Sequence, residues 1–159
     1  MKSQISNMAK IQSLLFSLTF IAVGLMSIIL FGKVTNLDCN RYQKNQITCQ
    51  LESSGLLGKK LTEIKQIQGS EVKRRRSDDG DYTYRVLIKY ENGETPLTDY
   101  YSSGRSEKYE QVEQINSFIN NPEIPNLKVK NDKRWLAYPL GGIFIVIGVI
   151  TLATTWIPN

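Results

Sequence analysis

Two cysteines and one run of basic residues are the side chains with the most evident chemistry. Cys39 and Cys49 lie in TNLDCNRYQKNQITCQLE, residues 35–52. The chain of 159 residues contains no histidine, which is the commonest general base and the most frequent zinc ligand. Two cysteines alone do not complete a structural zinc site. We therefore predict a non-enzymatic protein with no catalytic residue, no metal site and no cofactor.

The spacing of the cysteines fits a disulfide across a hairpin. The pattern predicts strands over 34–41 and 46–52 around the turn Tyr42-Gln43-Lys44-Asn45, with Cys39 facing Cys49. Directly opposed residues have Cα atoms ~4.5–5.5 Å apart, which a disulfide accepts. Two buried free thiols are the alternative, because free cysteine is among the most buried residue types.

The basic run is Lys73-Arg74-Arg75-Arg76, the densest charge in the chain. Strands predicted over 67–76 and 82–90 flank the turn SDDGD. Depending on the loop length, either Arg74 or Lys73 faces Arg85, so like charges oppose each other. These five residues form a possible site for an anionic lipid headgroup, worth ~1 kcal/mol per basic residue, or for an acidic partner. The alternative is a solvated strand end neutralised by the acids of the turn. The net charge of +5 is too small and too spread to predict nucleic-acid binding.

Two segments predict membrane spans. Residues 11–32 and 135–157 carry no charge, and a spanning helix needs about 20 apolar residues. Trp135, Tyr138 and Trp156 are predicted interface residues, because ~1.5 Å per residue places the two tryptophans about 31 Å apart. A cleaved signal peptide and a buried core helix are the alternatives. Glycines in both segments allow close helix approach; they are Gly24, Gly141, Gly142 and Gly148.

All acidic residues lie between the two segments, which predicts a soluble domain over 33–121 after an N-terminal tail over 1–10. The domain has six strands at most, including one over 96–102, and residues 61–67 suit a strand entering a helical turn. Ser106 is expected to cap an amphipathic helix whose apolar stripe is Tyr109, Val112, Ile115, Phe118 and Ile119, with Lys108 and Gln111 facing water. A polar tether over 122–134 follows. The fold class is α+β, an antiparallel sheet or partly open barrel capped by that helix.

This order of elements resembles bacterial pleckstrin-homology-like domains. The likeness is carried by KKLTEIKQIQGSEV, YRVLIKYENGETPLT and SEKYEQVEQINSFIN. With the flanking spans, and with the passages GLLGKKLTEI, PLTDYYSSG and INSFINNPE, the chain also resembles small two-span membrane proteins of cyanobacteria. The resemblance implies a scaffold or binding role and no catalytic residue. The family plan has seven strands, one more than the pattern predicts here.

These observations predict an integral membrane protein whose domain binds another membrane protein or complex at the bilayer. A lipid-headgroup sensor is the alternative function. Two spans put both termini on one side of the membrane, and the basic tail together with the facing cysteines predicts a periplasmic or lumenal domain. The basic residues beside each span favour the cytoplasmic alternative. The pattern says nothing of the oligomeric state.

Overall fold

The structure, a computed structural model, describes residues 2–43 and 46–156, without the side chains of residues 2–7, 9 and 156. The tip of the first predicted turn, Lys44-Asn45, and the side chain of Trp156 therefore lie outside the described part. The predicted α+β class is confirmed, with three helices and two antiparallel sheets. In chain order the elements are α1 (Lys2–Phe31), β1 (Val34–Gln43), β2 (Gln46–Gly55), β3 (Gly58–Lys65), β4 (Ile67–Arg76), β5 (Tyr82–Tyr90), β6 (Gly93–Pro96), α2 (Arg105–Asn120), β7 (Asn126–Asp132) and α3 (Arg134–Trp156).

The chain divides into two compact units. One comprises Met1–Lys33, Gly55–Leu57 and Asp132–Asn159, and the other Val34–Ser54 and Gly58–Asn131. The first unit holds α1 and α3, each with a stretch long and apolar enough to span a membrane, Lys10–Phe31 and Arg134–Thr155. Most side chains of both stretches are exposed, including Met26 and Ile143. This exposure differs from a core helix of a soluble protein, which is mostly buried.

Helices α1 and α3 pack antiparallel along a seam of small residues. Gly141 and Gly148 of α3 are both buried, and they are spaced by seven positions, as are Ser17 and Gly24 of α1. The Ser17 hydroxyl donates to the Gly148 carbonyl at 2.8 Å. A Cβ atom at Gly24 would lie 2.6 Å from the Gly141 carbonyl oxygen. The glycines thus bring the two backbones into close contact, which small residues also do in membrane helix pairs.

In the second unit, the strand orders are β3-β2-β1-β7 and β4-β5-β6. Cys39 lies directly opposite Cys49 in the β1–β2 ladder, and their sulfur atoms form a disulfide. Both cysteines are buried in a core that draws on both sheets and α2. The core side chains are Leu37, Cys39, Ile47, Cys49, Leu51, Ile64, Ile67, Val86, Ile88, Leu97, Ile115, Phe118 and Val129.

Three strand expectations need correction. The segment 122–134, predicted as a tether, contains β7, so the described residues form seven strands where six at most were expected. The strand predicted over 96–102 ends early, because β6 covers Gly93–Pro96 and only an isolated bridge joins Ser102 to Tyr84. No helical turn follows Ile64; Gln66, with φ of 53°, separates β3 from β4 instead. The strands predicted over 67–76 and 82–90 are confirmed as β4 and β5.

The buried face of α2 is also rotated from the predicted stripe. Tyr109 is 49% exposed, whereas Lys108 is only 1% exposed and Gln111 is buried. The Lys108 ammonium lies 3.7 Å from a carboxylate oxygen of Glu107, which also accepts a hydrogen bond from Asn131 of β7 at 3.2 Å. A buried lysine needs a carboxylate partner of this kind. The helix begins at Arg105 with Gly104 as its N-cap, not with Ser106.

Two polar contacts fasten α2 to the strands. The Asn116 side chain accepts a hydrogen bond from the Ser70 backbone N–H at 2.8 Å and donates to the Ser70 carbonyl at 3.1 Å. At the other end, the Arg41 guanidinium donates to the carbonyls of Phe118 at 2.5 Å and Asn121 at 3.4 Å. The last turn of α2 has no basic residue of its own. Arg41 therefore supplies, from β1, the positive charge that favours a helix C-terminus.

Candidate functional site

The candidate site is the basic edge, which we define as Lys73, Arg74, Arg75 and Arg76 of β4 together with Arg85 of β5. The β4–β5 register places Lys73 opposite Arg85 and Arg76 opposite Tyr82. This is the second of the two predicted pairings. The turn between the strands is closed by a hydrogen bond from the Ser77 N–H to the Asp81 carbonyl at 2.7 Å. Gly80, with φ of 89°, supplies the left-handed conformation that a turn of this kind favours.

Strand alternation divides the basic edge between two faces of the sheet. Lys73 and Arg75 share one face with Arg85, whereas Arg74 and Arg76 share the other with two tyrosines of β5, Tyr82 and Tyr84. All four residues of the run are exposed and Arg85 is half-buried. The hairpin therefore presents positive charge on both of its faces.

Each of the like charges at the Lys73–Arg85 pair has a neighbour that the sequence did not reveal. The Lys73 ammonium lies 4.0 Å from a carboxylate oxygen of Glu94. The Arg85 guanidinium lies over the Tyr101 ring, 4.4 Å from its centroid. Its Nε atom is buried and makes no hydrogen bond within the described residues. A cation over an aromatic face gains about 0.5–1 kcal/mol at exposed sites, so the ring offsets part of the repulsion.

The acids of the turn do not neutralise the run. Asp78, Asp79 and Asp81 are exposed, and across residues 2–43 and 46–156 none of them forms an ion pair with the arginines. Arg74 instead lies over the Tyr82 ring, 5.1 Å from its centroid. Further along the same sheet, by contrast, Lys89 pairs with Glu71 at 2.5 Å. Arg75 and Arg76 are thus exposed cations without a carboxylate partner among the described residues.

The predicted interface residues of α3 lie in the first unit. Trp135 is 72% exposed and Tyr138 is 43% exposed. A Cβ atom at Gly32, just beyond the end of α1, would lie 2.8 Å from the Tyr138 ring. The end of α1 and the start of α3 therefore lie side by side, with an exposed tryptophan at the same level. An amphipathic ring in this position suits the boundary between lipid and water.

The other polar cavity and the acidic side chains are less suited to hold a ligand or a metal ion. A cavity of about 90 Å³, whose lining includes Thr35, Lys60 and Thr95, is well below the ~300–1,000 Å³ of typical ligand pockets. The described residues contain no group of three or more histidine, cysteine, aspartate or glutamate side chains that could hold a metal ion. Burial, and then the charge of Glu107, raises the pKa of Tyr100.

The side chains of the basic edge have the chemistry that anion binding requires. Guanidinium groups are permanently charged, donate several hydrogen bonds in a plane, and match carboxylate and phosphate groups. Tyrosine rings beside them add apolar contact area of the kind enriched in protein interfaces. In comparisons with known proteins, no family model, curated protein or solved structure matches this chain.

Proposed function

We propose that this protein is a non-enzymatic integral membrane protein with two spans, whose folded domain docks an acidic segment of a partner membrane protein on the basic edge. The observation that carries the proposal is the set of exposed arginines, Arg75 and Arg76 above all, without carboxylate partners in the described chain. The domain is then a pleckstrin-homology-like scaffold. Its two antiparallel sheets and its amphipathic helix support that reading, although β7 follows α2 in this chain.

The seam between α1 and α3 supports an uncleaved first span. Removal of α1 as a signal peptide would leave Gly141 and Gly148 facing no helix and would break the hydrogen bonds of Ser13 with Thr155 and of Ser17 with Gly148. This pairing supports the retention of α1 as a span. The exposed apolar faces of both helices then face lipid.

The disulfide supports a periplasmic or lumenal domain. Cys39–Cys49 links two neighbouring strands of the core, and disulfides persist in oxidising compartments. A partner in the same compartment, with an acidic segment close to the membrane, fits this placement.

A protein partner is favoured over lipid by the aromatic residues of the edge. Tyr82 and Tyr101 pack beside Arg74 and Arg85, and interfaces are enriched in tyrosine and arginine. The lipid-headgroup alternative needs only the charge. It rests on the four consecutive basic residues, each worth ~1 kcal/mol near anionic lipid.

The test is binding of a fluorescent Asp/Glu-rich peptide to the full chain in nanodiscs of zwitterionic lipid. Arg75→Ala/Arg76→Ala is expected to weaken binding roughly tenfold, which corresponds to ~1.4 kcal/mol. The matched control is Lys59→Ala/Lys65→Ala, which removes the same charge from lysines that pair with Glu52 and Glu63. Its affinity should stay at the wild-type value.

Equal losses in the two double variants would mean that the peptide senses only net charge, and the docking site would be refuted. The lipid alternative predicts no peptide binding in zwitterionic discs. It predicts instead that anionic lipid in the disc holds the Arg75 and Arg76 side chains, so that a nitroxide at the neighbouring exposed position Asp79 loses mobility in anionic discs at low salt and regains it at high salt.

A further inference from the structure

The turn between β2 and β3 places two leucines in an unusual position. Leu57 is 82% exposed, more than any other large apolar side chain that the structure describes, and Leu56 is 63% exposed. The turn reads Gly55-Leu56-Leu57-Gly58, and Gly58 has φ of 127°. Turns between strands usually carry polar residues together with glycine. Two neighbouring leucines at such a tip indicate a surface that is covered by something apolar.

The position of this turn indicates what covers it. Gly55–Leu57 belongs to the same compact unit as α1 and α3. A Cβ atom at Gly55 would lie 3.0 Å from the Lys33 side chain and 3.9 Å from the Gly32 carbonyl oxygen. These two residues directly follow α1, which ends at Phe31. The leucine turn therefore lies beside the end of the first apolar helix.

Other residues at the same end mark the boundary between apolar and polar surroundings. Tyr138 of α3 contacts Gly32, and the exposed Trp135 lies one helical turn before it. Lys33 supplies a positive charge at the end of a stretch that carries none between Lys10 and Phe31. If α1 and α3 span a membrane, this end is the lipid–water interface, where leucine side chains insert and aromatic rings and lysines gather.

We propose that Leu56 and Leu57 form a third membrane contact, in which the β2–β3 turn inserts its two side chains into the interface of the bilayer that α1 and α3 cross. This inference rests on the proposed two-span arrangement. The occupant is the lipid of the same membrane.

The experiment measures the accessibility of nitroxide labels to oxygen, which concentrates in lipid, and to a water-soluble nickel chelate. The full chain is reconstituted in phosphatidylcholine vesicles with one introduced cysteine at a time. Leu57→Cys tests the turn, and Met26→Cys, at a 61% exposed position of α1, tests the span. Tyr42→Cys is the matched control, because Tyr42 is 73% exposed and lies about 26 Å from Val34 along β1. The native cysteines are disulfide-bonded and buried, so they do not take up label.

We expect the ratio of oxygen to nickel accessibility to be several-fold higher at Leu57 than at Tyr42, and highest at Met26. Equal ratios at Leu57 and Tyr42, with a lipid-like ratio at Met26, would overturn the leucine-turn inference and leave the spans intact. Shielding of Leu57 from both reagents would also overturn it, because a protein surface would then cover the turn. A water-like ratio at Met26 would refute the spans themselves.

Discussion

Adding one methyl group to the seam between α1 and α3 should separate the two helices. A Cβ atom at Gly141 would clash with the Ile28 side chain and lie 2.8 Å from the Gly24 carbonyl oxygen, whereas a Cβ at the adjacent Gly142 would meet nothing within 4 Å. Both Gly→Ala changes gain the same helix propensity, about 1 kcal/mol. The difference between the two variants therefore isolates the packing.

Overpacking costs about 1–3 kcal/mol. We expect the upper part of that range for Gly141→Ala, because one of the two clashing groups is backbone. A difference of about 2–3 kcal/mol corresponds to roughly 30- to 140-fold in the equilibrium between paired and separated helices. The Gly142→Ala variant should be as stable as the wild type or more so.

The assay is helix separation by SDS in mixed micelles, read as energy transfer between dyes on cysteines introduced at Lys10 and Thr154. These positions lie at the same end of the pair, as the hydrogen bond between Ser13 and Thr155 shows. Equal shifts of the SDS midpoint in the two alanine variants would refute the packing of the seam. A larger loss in Gly142→Ala would refute the orientation of α3.

Three further predictions concern the folded domain and its pH response. Arg41→Gln removes a charged donor from the carbonyls at the end of α2 and should lower the free energy of unfolding by about 1.5–3 kcal/mol. Thermal circular dichroism measures this loss, and Lys128→Gln is the control, because the Lys128 side chain is 79% exposed. Cys39→Ala/Cys49→Ala opens a loop of sequence separation 10 and should lower the free energy of unfolding by about 2.7 kcal/mol, because the unfolded chain gains entropy. Reductant should bring the wild type to the same denaturant midpoint as this variant. The pKa of Tyr100 is raised above its ordinary value of 10.0. The contribution of Tyr100 to stability is therefore complete below pH 10.0 and is lost as the pH rises through its folded-state pKa. Tyr100→Phe should reduce the loss of thermal stability at alkaline pH.

For each of these three predictions, one experimental outcome would contradict it. Equal stability of Arg41→Gln and Lys128→Gln would mean that Arg41 does not hold the end of α2. If reductant left the denaturant midpoint of the wild type unchanged while Cys39 and Cys49 were shown to be reduced, the disulfide would not contribute to stability. The burial of Tyr100 would be contradicted if an absorbance titration showed all tyrosines ionising together and if Tyr100→Phe lost as much thermal stability at alkaline pH as the wild type.

The elements read most reliably from the sequence were those with a simple local pattern. Strict alternation over 82–90 predicted β5, and the symmetric placement of Cys39 and Cys49 around a polar turn gave the β1–β2 register. Two uncharged stretches predicted the two long apolar helices. In each case a single local feature, such as the alternation of apolar residues or the absence of charge, determines the element that forms.

The features that the sequence did not reveal depend on contacts between distant elements. Lys108 is buried near the Glu107 carboxylate, which accepts a hydrogen bond from Asn131 of the distant strand β7, and no local pattern indicates that a charged residue faces inward. β7 alternates between exposed and buried side chains, but only two of its residues, Leu127 and Val129, are apolar, and the prolines before it favour the reading as a tether. Glu94, which lies near Lys73, and Tyr101, which lies against Arg85, are brought to the basic edge by the strand register and by the chain after β6.

The sharpest test of the central claim, two spans with a domain between them, is the sidedness of two introduced cysteines in intact cells. Ser3→Cys marks the N-terminal tail and Tyr42→Cys marks the domain, and each is treated with a membrane-impermeant maleimide before and after lysis. If α1 crosses the membrane, it separates the two positions. With a periplasmic domain, Tyr42→Cys reacts in intact cells and Ser3→Cys reacts only after lysis; with a lumenal domain, Ser3→Cys alone reacts in sealed vesicles of the internal membrane. Equal labelling of the two positions before lysis in both preparations would contradict the claim that α1 crosses the membrane.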